Sequence, residues 1–130
     1  MAADMERREF VRVAAAVPVR YAFLDAAGQR MGAQGLSEGA TANLSAAGML
    51  LMARLGDLAW TQELLTQRMA VAVSLLLPTE AEPVKALARA SWIETIAPDT
   101  RQCNLGLTFR EITREDQDRL FRFVIRSQLG

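Results

Sequence analysis

The run Arg7-Arg8-Glu9-Phe10-Val11-Arg12 sets three guanidiniums within six residues. A guanidinium is a planar fork of donors that matches two phosphate oxygens or the O6/N7 edge of guanine. Further on, Asn43-Leu44-Ser45-Ala46-Ala47-Gly48 offers an amide, a hydroxyl and a glycine. Amide and hydroxyl groups can serve a base edge, and glycine lets backbone come close to a ligand. Together the two stretches suit a small guanine-containing phosphodiester. The plainer reading of Asn43 and Ser45 is that they bond the backbone of their own turn, as Asn and Ser often do.

The remaining composition narrows the chemistry. There is no His and a single Cys, Cys103. A Cys/His zinc site and an intrachain disulfide are therefore excluded, as are Ser-His-Asp and Cys-His nucleophile pairs. The carboxylates are scattered over surface-like positions, so the composition argues against an enzyme. Fifteen basic residues offset fifteen acidic ones. A binder of long nucleic acid would normally carry a basic excess, so the local cluster fits a small anion better. The few aromatics fall mostly in core-like rows, which also disfavours a single-strand-binding barrel. Fourteen of the fifteen basic residues are Arg. Genomic base composition can account for that bias, but not for three of them crowding positions 7 to 12.

With 130 residues, 51% of them hydrophobic, the chain is expected to form about one globular domain. Residues 1–6 carry acid and lack an apolar run, so no signal peptide is expected. The longest apolar stretches fall well short of the roughly 20 residues needed to span a bilayer. A soluble, cytoplasmic protein without membrane insertion is the expectation.

Two forms stay open for residues 1–16. Local propensity favours a helix with Arg8 and Arg12 on one face, whereas an extended arm would let both wrap a ligand. Pro18 ends any such helix. Residues 17–24 alternate as a strand with Val17, Val19, Tyr21 and Phe23 on one side. A glycine-rich connection follows to Gly39, with a ragged strand inside it left open, then a hairpin from strands 40–44 and 49–53 whose turn presents Asn43, Ser45 and Gly48. Residues 57–67 shift to helical spacing, with Asp57 as N-cap and Leu58, Trp60, Leu64 and Leu65 in one stripe; Trp60 reads first as a core plug. Strands are expected over 69–77, over 84–96 with a bulge, and over 102–111, where Cys103, Leu105, Leu107 and Phe109 face inward. Cys103 is then a structural thiol. A final helix starts at Thr113 with an approximate capping box to Asp116, and Arg119, Arg122 and Arg126 form a solvated face. The sum is a mainly β chain, an antiparallel sheet closed into a small barrel with a C-terminal helix.

Arg8-x-x-x-Arg12 directly ahead of the first strand resembles the RxxxR motif of PilZ domains, which bind the bacterial messenger cyclic di-GMP. Asn43-x-Ser45-x-x-Gly48 is similar to their second motif, whose first position is Asp or Asn. Trp92 in the penultimate strand and Gly106-Leu107-Thr108-Phe109 in the last resemble the family's tail, so the likeness covers nearly the whole chain. It implies a single PilZ-like domain over 1–130. Its parts would be a ligand-binding arm (1–16), a six-stranded antiparallel β-barrel (17–111) and a C-terminal helix (113–129).

The resemblance also implies roles. Arg8 and Arg12 would meet guanine edges and phosphates, and Arg7 would stack on a base. Asn43 would bond a guanine edge, Ser45 would contact base or phosphate, and Gly48 would keep the turn tight. Arg89 and Arg101 lie where some relatives place further contacts, but no motif fixes them and they read first as surface arginines. The implied function is a cyclic di-GMP receptor or adaptor, with no metal, cofactor or catalysis. Its arm would change conformation on binding and signal through a protein effector; homodimerisation stays open. The alternative is a PilZ-like module that works through protein contacts alone. Residues 57–67, longer and more helical than the family's linker, would then be the docking element.

Overall fold

The computed structural model describes residues 11–32 and 36–129. Among these, a two-residue strand β1 (Arg12–Val13) precedes β2 (Pro18–Leu24), β3 (Ser37–Ser45), β4 (Gly48–Arg54), β5 (Ala70–Leu75), β6 (Val84–Ala97) and β7 (Gln102–Ile112). A short helix α1 (Trp60–Leu65) interrupts the strands after β4, and α2 (Arg114–Leu129) follows β7. The sheet runs β3-β2-β5-β6-β7-β4, and β4 pairs back onto β3, so six antiparallel strands close into a barrel. Strand β1 is added outside this ring, along β3, with Arg12 opposite Ser45 and Val13 opposite Leu44. The chain at Arg12 is thus extended rather than helical. Arg7 and Arg8 lie outside the described residues.

Period-two patterning fills the barrel. Val19, Tyr21 and Phe23 from β2, Val71, Val73 and Leu75 from β5, and Cys103, Leu105 and Leu107 from β7 all point inward and are buried. Each such apolar side chain stabilises the fold by about 1.5–3 kcal/mol relative to exposure. Tyr21 reaches across an end of the barrel, where its hydroxyl accepts a hydrogen bond from the Arg54 backbone N–H at 2.9 Å. Three register shifts in β6 bear out the expected bulging and let this strand of 14 residues follow the curvature.

Strand β3 is longer than the expected 40–44 because part of the glycine-rich connection is itself sheet, from Ser37 onward. The turn before it is held by Asp25, whose carboxylate accepts from the N–H groups of Ala27 and Gln29 at 2.9 Å each. A register shift between Thr41 and Asn43 re-aims the strand. Buried Thr41 clamps the entering chain there: its hydroxyl accepts from the Val17 N–H at 2.9 Å and donates to the Ala15 carbonyl.

Residues 57–67 contract to six residues of helix. Asp57 accepts from the Ala59 N–H in a turn ahead of the helix, instead of serving as its N-cap. The expected stripe splits. Leu64 is fully buried and Trp60 packs on Phe23 with ring centroids 5.4 Å apart, whereas Leu58 and Leu65 are exposed. Trp60 therefore plugs one end of the barrel.

Helix α2 lays Leu120 and Val124 on the barrel. Thr113 caps it, accepting from the Asp116 N–H at 3.1 Å. The reciprocal half of the capping box does not form, because the Asp116 carboxylate turns to Arg119 (2.8 Å) and to the Lys85 N–H (3.2 Å). Arg119 is also not part of a solvated face. It is 14% exposed, pairs with Glu80 at 3.0 Å and donates to the Glu82 carbonyl. The Glu80 hydrogen bond pushes its pKa further up. Arg122 and Arg126 are exposed as expected.

Candidate ligand-binding site

The corner joining β3 to β4 is built from backbone outward. Ser45 is fully buried, and its hydroxyl accepts from the N–H groups of Ala47 (3.1 Å) and Gly48 (3.2 Å). This side chain, expected at base or phosphate, closes its own turn here. Gly48 is required by close approach: a Cβ there would run into the Leu107 carbonyl of β7. Two further bonds brace the turn. The Phe109 N–H donates to the Ala47 carbonyl at 2.8 Å, and the Gln117 amide of α2 donates to the Ala46 carbonyl at 3.1 Å.

Onto this rigid corner β1 delivers Arg12. Its Nη1 donates to Asn43 Oδ1 at 3.0 Å, a bond between residues 31 apart in sequence. The contact uses one of five guanidinium N–H donors and leaves the Asn43 NH₂ group and most of the fork for a ligand. Arg12 is exposed and Asn43 partly so.

The barrel wall beside the corner carries a feature that sequence reasoning did not count as part of the site. Asn43 pairs with Leu50, Leu50 with Gly106, and Gly106 with Trp92, so the four form one row across β3, β4, β7 and β6. The Trp92 indole lies across Gly106, in space that any Cβ would take, and is 47% exposed. An aromatic face is thereby presented in the same row as Asn43. The signal that could have found it is Trp92 opposite a glycine in the neighbouring strand; it is visible only once the register is known.

The two further arginines part company. Arg89 is exposed between buried Ala88 and Ala90, in register with Thr108 and, through it, with Gly48. Two strand spacings separate Arg89 from Gly48, about 10 Å. Arg101 is not brought to this corner. It precedes Gln102, which pairs with Arg54 at the far end of β4 from Gly48, about 20 Å away along the strand.

A closed antiparallel barrel, a leader strand that brings an arginine to a hairpin corner, and a terminal helix laid on the barrel define the class of the domain. The chain belongs to the PilZ domain family, whose model matches residues 6–126. Solved structures of similar fold include the inhibitor of motility MotI/DgrA from Bacillus subtilis, at 22% identity and TM-score 0.65, covering 95% of this chain and 52% of that one. The PilZ domain of CeSA from a cellulose-synthesizing bacterium matches at 17% identity and TM-score 0.53, over 90% of this chain and 97% of that one. The PilZ domain of YcgR from Escherichia coli, solved with c-di-GMP, matches at 14% identity and TM-score 0.56, over 95% and 92%. The chain thus spans about half the length of the Bacillus protein and nearly all of the two PilZ-domain structures. At these identities the likeness is one of fold. No curated protein matches the chain.

Proposed function

We propose that this chain is a receptor for cyclic di-GMP that acts as an adaptor, without catalysis, and passes the signal to a protein partner. The observation that carries the reading is the 3.0 Å bond from Arg12 to Asn43, which joins the two arginine- and asparagine-bearing stretches at one corner. In this reading Arg8 and Arg12 grip phosphate and guanine edges, and Arg7 stacks on a base. Asn43 offers its amide to a guanine, while Ser45 and Gly48 hold the corner in shape. Trp92 supplies a stacking face for a base, and Arg89 lies within reach of a second phosphate. Binding draws the leader that carries Arg7 and Arg8 onto the ligand, and the ordered leader is what the partner reads.

Isothermal titration calorimetry with cyclic di-GMP tests this. A bidentate Arg–guanine pair is worth about 1–3 kcal/mol, so Arg8→Ala and Arg12→Ala each weaken binding by roughly ten- to a hundredfold. No heat at ligand concentrations well into the micromolar range ends the proposal. The alternative, a module working through protein contacts alone, drew on Trp60 and Leu64. Both pack on the barrel, so its support shrinks to exposed Leu58 and Leu65.

A further inference from the structure

The end of the barrel away from the Asn43–Gly48 corner holds a second concentration of positive charge. Arg30, Arg54 and Arg101 line one cavity of about 340 Å³ together with Phe23, Leu55 and Trp60. They come from three separate places in the chain: the connection after β2, the last residue of β4, and the turn between β6 and β7. Among the described residues no carboxylate lines the cavity. Arg101 Nε donates to the Leu55 carbonyl at 3.0 Å. Among the described residues the guanidiniums of Arg30 and Arg54 make no hydrogen bond or ion pair.

Three exposed arginines line this one hollow, in a chain of zero formal net charge. An anion in the hollow would find guanidinium donors on more than one side of it. The rest of the cavity is not the wall of a bare anion site. Phe23 and Trp60 pack at a 60° tilt, and the indole sits against Gly56, where any Cβ would collide with it. The aromatic wall is therefore fixed in place before a ligand arrives. At about 340 Å³ the space lies near the lower end of the roughly 300–1,000 Å³ usual for small-molecule sites. It admits a ring with one anionic group.

We propose that this cavity binds a small aromatic anion, a phosphate or carboxylate compound whose ring lies against Trp60 and whose charged group is held by Arg30 and Arg54. The site is independent of the cyclic di-GMP reading, being about 20 Å from that corner along β4, and either can fail without the other.

Phenyl phosphate and benzoate, titrated separately into the ¹⁵N-labelled chain, test it. The expected result is saturable shifts of the Leu55 and Gly56 amides and the Trp60 indole N–H with at least one probe. Saturation by phenyl phosphate alone assigns a phosphate ligand, and by benzoate alone a carboxylate. Arg30→Gln and Arg54→Gln, made separately because these guanidiniums hold nothing else together among the described residues, should each weaken binding about tenfold. Arg12→Ala should leave it unchanged. The proposal is overturned if neither probe gives saturable shifts by about 10 mM, if both Gln variants bind like the parent, or if Arg12→Ala abolishes the shifts.

Discussion

Thr41 offers the most direct test of how the barrel holds its leader. The residue is fully buried, and its hydroxyl satisfies the N–H of Val17, itself 1% exposed, while donating to the Ala15 carbonyl. Thr41→Val keeps the shape and removes only the hydroxyl. The Val17 N–H is then orphaned in the interior, at a cost of about 1–3 kcal/mol; the less buried Ala15 carbonyl can turn to water. Thr41→Ser keeps the hydrogen bonds and deletes a methyl, worth roughly 1 kcal/mol. For a chain of this length about 1 kcal/mol corresponds to roughly 3–5 °C in Tm. Val should therefore lower Tm by about 5–10 °C and Ser by about half as much. Thermal unfolding gives the ranking, and hydrogen exchange at the Val17 amide locates the loss. If Val proves as stable as the parent with the Val17 amide still protected, or if Ser is the worse of the two, the clamp has been misread.

Other outcomes follow from the same geometry. Gly48→Ala forces a methyl against the Leu107 carbonyl, and urea unfolding should show a loss of about 1–3 kcal/mol. Trp92→Ala should weaken cyclic di-GMP by roughly five- to a hundredfold, since base–aromatic stacking is worth about 1–3 kcal/mol. Its Tm should move little, because the indole is half exposed. Burial pushes the Cys103 thiol pKa above its ordinary 9.0. The folded state thus resists losing this proton more than the unfolded state does. Stability is intact below pH 9.0 and falls as pH rises past that value toward the higher folded pKa. Cys103→Ala should flatten the part of the alkaline loss due to the thiol in Tm against pH, with Tyr21, raised for the same reason, accounting for a further part.

The barrel was legible because its strands obey a simple rule: inward rows such as Cys103, Leu105 and Leu107 alternate with polar neighbours, and the turns announce themselves with Gly, Pro and Asn. The corner was legible in outline, since Arg12 and Asn43 are of a type that seeks partners and do find each other. What stayed hidden depends on register and depth. Ser45 looks like a surface hydroxyl in sequence, and only the buried turn shows that its lone pairs are taken. Trp92 lies open across its neighbour because Gly106 stands opposite it on the adjacent strand. Arg119 reads as one of three solvated cations until Glu80, far away in the chain, comes to meet it. Arg101 lies at the other end of β4 from Gly48, and residue spacing does not tell which rim of a barrel a loop caps.

The Gln117 amide that reaches the Ala46 carbonyl couples the last helix to the hairpin corner. A hydrogen bond at 3.1 Å tolerates only a few tenths of an ångström of drift before it weakens. An occupant that displaced the Ala46 carbonyl by that much would loosen this mooring of the helix. By reciprocity, a partner on that helix would alter the corner's affinity only by the factor by which an occupant of the corner alters the helix's hold on that partner.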